Sequence, residues 1–154
     1  MDGGGFQIIL AAGLTRAPND KQQLQPLIEQ AKDNMDGMMP KRVSADSGYY
    51  SQDNVTYLVT QHIDGYEAAP RGRIPTAATV KERMARKLRT LRGKEIYGKR
   101  KGIVEPVFGQ IKQVRGFRRF GLRGVERVRA EWELICLGHN LLKLFKCDWS
   151  PKMA

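Results

Sequence analysis

Along the first seventy residues, short apolar runs alternate with stretches whose apolar positions recur every three or four residues. Phe6 to Thr15 is an uncharged, largely apolar run of the length of a buried strand. Pro18-Asn19-Asp20 supplies turn chemistry and an N-cap, and Leu24, Leu27, Ile28 and Ala31 then share one helical face. Arg42 to Ala45 reads as a brief second strand that runs directly into Asp46-Ser47-Gly48-Tyr49-Tyr50. Ser51-Gln52-Asp53-Asn54 caps a helix to about Gln61, with Val55, Leu58 and Val59 expected inward. Gly65 to Ala69 reads as a third strand, ended by Pro70 and the Arg71-Gly72-Arg73 loop.

Beyond it the periodicity is helical. Thr76 to Leu91 predicts a very basic helix with Val80, Met84, Leu88 and Leu91 inward, and Gly93 is expected to break it. Tyr97 to Lys112 predicts another, packed on a core through Ile103, Val104, Val107, Phe108 and Ile111. A loop from Arg115 to Gly124 carries four arginines, two aromatics and three glycines. The last helix, Val125 to about Phe145, sets Val128, Trp132, Ile135, Leu142 and Phe145 on an apolar stripe. Helices alternating with short strands predict an α/β layered domain.

Composition bounds this picture. A chain of 154 residues, 41% hydrophobic, suits one domain with a real core, expected over residues 1–146 with a tail at 147–154. The net charge is +11, and it is uneven. Between Arg71 and Arg129 there are 19 Lys or Arg against four acids, whereas residues 1–70 are net acidic. That asymmetry points to a polyanionic partner, most simply nucleic acid held by its phosphates. Cys136 and Cys147 have no metal-ligand spacing and read as buried or incidental thiols in a reducing compartment. No apolar run reaches the roughly 18 residues of a membrane span, and the expected setting is cytoplasmic and nucleoid-associated.

Asp46 follows a strand, at the carboxyl end where layered α/β domains collect ligands and metals. Glu105 sits on the basic helix, where Lys101 and Lys112 fall at roughly −40° and −20° from it and so share its face. Asp2 lies beside the first run. Hard cations take carboxylate oxygens, and two ions about 3.5–4 Å apart activate and stabilise the oxygens of a phosphodiester displacement. Singly, each residue has a plainer reading: Asp46 as a turn residue, Glu105 as a surface ion-pair member, Phe117 and Phe120 as loop anchors. His62 and His139 lack partners at ligand spacing and read as structural, and Ser47 lacks the companions of a hydrolase triad.

Ala45-Asp46-Ser47-Gly48-Tyr49, the set Tyr97, Lys101, Glu105 and Lys112, and Phe117-Arg118-Arg119-Phe120 together resemble the bacterial insertion-sequence transposases with an Asp-Asp-Glu triad. The resemblance implies an RNase H-like, retroviral-integrase-like fold over about Phe6 to Leu144, incomplete at its first strand. It implies Asp46 as second acid, Glu105 as third and Asp2 in the place of the first, holding two Mg²⁺ or Mn²⁺ ions. Lys112 keeps the family's six-residue gap after Glu105. Upstream, Lys101 has the three-residue gap and Arg100 the position two residues beyond Tyr97, so Lys101 is favoured for the basic role and Arg100 is the alternate. Arg118, Arg119 and Arg123 complete the implied contacts to double-stranded DNA, both transposon ends and target, and a homodimer is implied for the full-length enzyme. Since the strand that should precede Asp2 is missing, the chain is expected to be a truncated, weakly active or inactive part of such an enzyme. The alternative is a non-catalytic, basic nucleic-acid-binding domain left by a decayed mobile element.

Overall fold

The computed structural model describes residues 7–67 and 79–146. Asp2, the Gly3–Gly5 run, the end of the expected third strand with the loop after it, the start of the basic helix and the tail with Cys147 lie outside them. The chain divides into two compact units, residues 15–100 and residues 1–14 with 101–154.

The first unit is a parallel β–α–β crossover with helices on it. Strand β1 (Arg42–Ala45) pairs in parallel with β2 (Asp64–Glu67), Arg42 facing Asp64 and Ala45 facing Glu67. Between them runs α2 (Gln52–Thr60), capped as its sequence predicts by the Ser51 hydroxyl, which accepts from the Asn54 N–H at 3.1 Å. Val55 and Leu58 are fully buried, but Val59 is 54% exposed, because it lies one residue round the helix from the buried pair. Helix α1 (Leu24–Asp33) begins four residues later than its turn signal and buries Leu24 and Ile28 against Ala45, Leu58 and Ile63. A second small core joins Tyr50, Val55 and Met84 of α3 (Val80–Arg89). Gly65 makes this layering possible: a Cβ there would stand 2.6 Å from Leu58 Cδ1 and 2.9 Å from Met84 Cε.

Helix α3 opens with a reciprocal capping box between Thr79 and Glu82. It ends at Thr90, not at Gly93. The Thr90 hydroxyl donates to the Lys87 carbonyl at 2.7 Å and accepts the Gly93 N–H at 3.0 Å, closing α3 and opening α4 (Leu91–Gly109) together. Gly93 is a packing requirement, since a Cβ would meet the Lys87 carbonyl oxygen at 2.0 Å. Leu91, expected inward, is 88% exposed at this corner because Thr90 ends the helical register that the pattern extrapolated.

The second unit is built from the end of α4, a π-turn at Gln110–Val114, the loop after it and α5 (Val125–Phe145). Residues 7–14 form neither helix nor strand. Part of their backbone is satisfied by α5 instead. Asn140 gives Ile9 both halves of a peptide partner: its Oδ1 accepts the Ile9 N–H at 2.8 Å, and its Nδ2 donates to the Ile9 carbonyl at 2.7 Å. His139, fully buried, donates from Nε2 to the Gln7 carbonyl at 3.0 Å, consistent with a structural role. Pro106 lacks the N–H that would bond the Gly102 carbonyl, and Gln7 Nε2 donates to that carbonyl at 3.0 Å.

The expected core packing of the Tyr97–Lys112 stretch is only partly present. Ile111 is 1% exposed, drawn inward by the π-turn, but Ile103, Val104 and Phe108 are exposed, because within this unit only the π-turn end of the stretch is covered. Likewise α5 buries Ile135 and Cys136 while Leu142 and Phe145 of the expected stripe are exposed.

Candidate functional site

Asp46 directly follows β1 with an extended backbone and caps a 3₁₀ turn over Ser47–Tyr49, its Oδ1 accepting the Ser47 N–H. That turn is held from below by Asn54. Its buried amide donates to the Tyr49 carbonyl at 2.6 Å and the Lys21 carbonyl at 2.7 Å, locking the loop that presents Asp46. Nothing in the sequence pattern singled out Asn54; a polar residue at an inward helical position was the available signal. The Tyr49 hydroxyl is pushed above its usual range by burial and then by the charges of Asp20 and Asp46.

Helix α4 brings two of the expected residues to Asp46. An Arg100 guanidinium nitrogen lies 3.7 Å from Asp46 Oδ2, and the same guanidinium lies over the Tyr97 ring, 5.4 Å from its centre. The Asp46 carboxylate stays 58% exposed. Arg100, the alternate on spacing, is thus the cation that reaches Asp46 within this unit.

Glu67, one strand over and opposite Ala45, is fully buried, and neither carboxylate oxygen has a hydrogen-bond partner among the described residues. Burial pushes its carboxyl up to about 7, with Lys81 opposing. An acid in a short strand gives no sequence signal of burial, so this group was not foreseen.

In the second unit Glu105, Lys101 and Lys112 are exposed on α4 and the turn after it. The following loop turns at Gly116 and Gly124, whose φ angles of 74° and 90° favour glycine. Glu131 of α5 ties the loop down, accepting the Gly121 and Leu122 N–H groups at 2.7 and 2.9 Å. Between loop, π-turn and α5 opens a cleft of about 380 Å³. Ile111 and Ile135 floor it, and Phe108, Phe117, Phe120 and Trp132 wall it. Trp132 lies parallel to Phe108, at 6.4 Å between ring centres, and edge-on to Phe120 at 6.3 Å. Lys112, Arg118 and Arg119 line the same cleft, with Lys112 Nζ 5.4 Å from the centre of the Phe108 ring. Arg123 is exposed in the same loop.

Asp46 therefore belongs to one unit and Glu105 to the other. Their carboxylate oxygens suit a hard cation by donor type. Among the described residues no three His, Cys, Asp or Glu gather as a metal-holding group, and no helix is long and apolar enough to cross a membrane.

A strand-end carboxylate, a helix-borne carboxylate and a run of cations are the parts that phosphodiester chemistry on nucleic acid calls for. A family model described as a transposase DDE domain matches residues 67–145, just over half of the chain, and the chain belongs to that family. Glu105, Arg100, Lys101, Lys112 and the aromatic and cationic residues of the cleft lie inside the matched span, and Asp46 lies before it. No curated protein and no solved structure matches.

Proposed function

We propose that this chain is the catalytic part of a DNA transposase, RNase H-like in fold, in which Asp46 and Glu105, with Asp2, hold Mg²⁺ or Mn²⁺. The observation that carries the reading is the family match over the segment containing Glu105 and the basic helices. The bound ions would supply positive charge to the attacking and leaving oxygens of phosphodiester displacement. Arg100 and Lys101, with Lys112, hold the phosphates on either side of the scissile bond. In the first step a water oxygen bonds to phosphorus and the 3′-oxygen of the element's end leaves, taking a proton to become a hydroxyl. In the second, that hydroxyl's oxygen attacks a target phosphodiester, losing its proton, and the target's own 3′-oxygen is displaced. Double-stranded DNA is the partner in both, and a homodimer would bring two ends together.

The support for Asp46 is its rigid presentation: strand end, Asn54-braced turn and Arg100 beside it. The test is Mn²⁺- or Mg²⁺-dependent nicking of duplexes carrying the element's ends, with Asp46→Asn and Glu105→Gln as controls. Metal-dependent nicking lost in both variants supports the reading. Nicking that survives either one refutes the assignment of that residue. Salt-sensitive binding without nicking favours the non-catalytic nucleic-acid-binding alternative.

A further inference from the structure

We infer that the aromatic cleft of the second unit is a receptor for a single unpaired base of the bound DNA. This rests on the reading that the chain binds DNA. The cleft lies within the about 300–1,000 Å³ typical of small-ligand sites. Its walls are aromatic rings, Phe108 parallel to Trp132 and Phe120 edge-on to it, over an apolar floor. An apolar side chain would fill such a space equally well. What distinguishes the cleft is its cations: Lys112, Arg118 and Arg119 line it, Arg118 is anchored by donating to Gln113 Oε1 at 2.6 Å, and Arg119 has no ion pair among the described residues.

Flat hydrophobic walls among cations match a flat ring attached to a phosphate chain. They do not match a base inside a duplex, whose two faces are already covered by its neighbours. A base meets these rings only after leaving the stack, and base–aromatic contact then offsets the lost stacking in a sequence-tolerant way. The cleft would thus favour DNA that is bulged, frayed or distorted over DNA that is uniformly paired.

The experiment compares two duplexes of the same sequence, one fully paired and one with a single unpaired 2-aminopurine, titrated with the full chain. Binding about tenfold tighter to the bulged duplex, with 2-aminopurine fluorescence quenched on binding, is expected. Phe120→Ala should bring the affinity ratio close to one, and Phe120→Tyr, which keeps a ring, should retain it. Equal affinity for the two duplexes, or a ratio unchanged in Phe120→Ala, overturns the cleft's role while leaving DNA binding intact. Failure to bind either duplex overturns both this inference and the DNA reading beneath it.

Discussion

Arg100 reaches to within 3.7 Å of Asp46 across the first unit, from the same helical turn that carries Tyr97. The carboxylate is more than half exposed, so the pair adds little stability by itself. Arg100→Gln should shift the unfolding free energy by less than about 1 kcal/mol in urea titration. The same variant should weaken DNA binding several-fold. A stability loss well beyond that bound would mean the pair is a structural brace.

Asp46→Asn and Glu105→Gln should each lower Mn²⁺ affinity at least about tenfold, since an amide removes the charge that binds a hard cation. Free-manganese titration by electron paramagnetic resonance reads this directly. Loss in one variant but not the other would show that the two carboxylates do not share a site.

Reversing Arg118, Arg119 and Arg123 to Glu should weaken duplex binding and flatten its dependence on salt. The log–log slope changes by about 0.9 for each phosphate contact removed, so the triple change should reduce its magnitude by up to roughly 3. Filter binding across a salt series gives the slope, and an unaltered slope would remove this loop from the DNA surface.

Glu67 predicts an unusual pH dependence. Its folded carboxyl, pushed up to about 7 by burial, keeps its proton where the unfolded chain has already released it. The neutral form's contribution is therefore complete below about 4.5, declines as pH rises, and is gone above about 7. The total is on the order of 2–3 kcal/mol. Lys81 of α3 opposes the shift, and the Tyr50 hydroxyl, facing the same buried acid, is itself raised by burial and then by Glu67. In Glu67→Gln the decline should vanish, so the difference between the two stability–pH curves isolates this one group. Parallel curves would show that Glu67 is hydrated or paired in solution.

Gly93 and Gly98 occupy the same helix and should respond to alanine with opposite signs. At Gly93 a Cβ collides with the Lys87 carbonyl at 2.0 Å, and Gly93→Ala should cost about 1–3 kcal/mol. At Gly98 nothing lies within 4 Å, so Gly98→Ala should stabilise by up to about 1 kcal/mol. Thermal melts of the pair decide whether this corner is packed as described.

Local signals were legible in the sequence, and long-range ones were not. Ser51, Val55 and Leu58 placed α2, and the span of α5 followed from its periodicity, because caps and apolar spacing act within a few residues. The run from Phe6 to Thr15 misled because a backbone segment looks the same whether a strand or a side chain satisfies it. Its partner, Asn140, lies 131 residues beyond Ile9. Arg100 and Lys101 were separated by their angle to Glu105, whereas the contact that forms is with Asp46, on another element. Glu67 is hidden for a related reason, since burial in the sheet depends on the helices α2 and α3 packed on β2 and not on its neighbours in sequence.

The single hydroxyl of Thr90 gives the two basic helices a common fate. Because it bonds the last turn of α3 and the first of α4 at once, neither end can fray without releasing the other. The corner behaves as a pinned hinge: a tug on the cations of α4 is passed to Lys87, and from there to the Asp64 carboxylate and the Gly65 carbonyl that Lys87 grips. Strand β2 would then feel a load applied to the helix, and amide exchange at Gly93 would register it first.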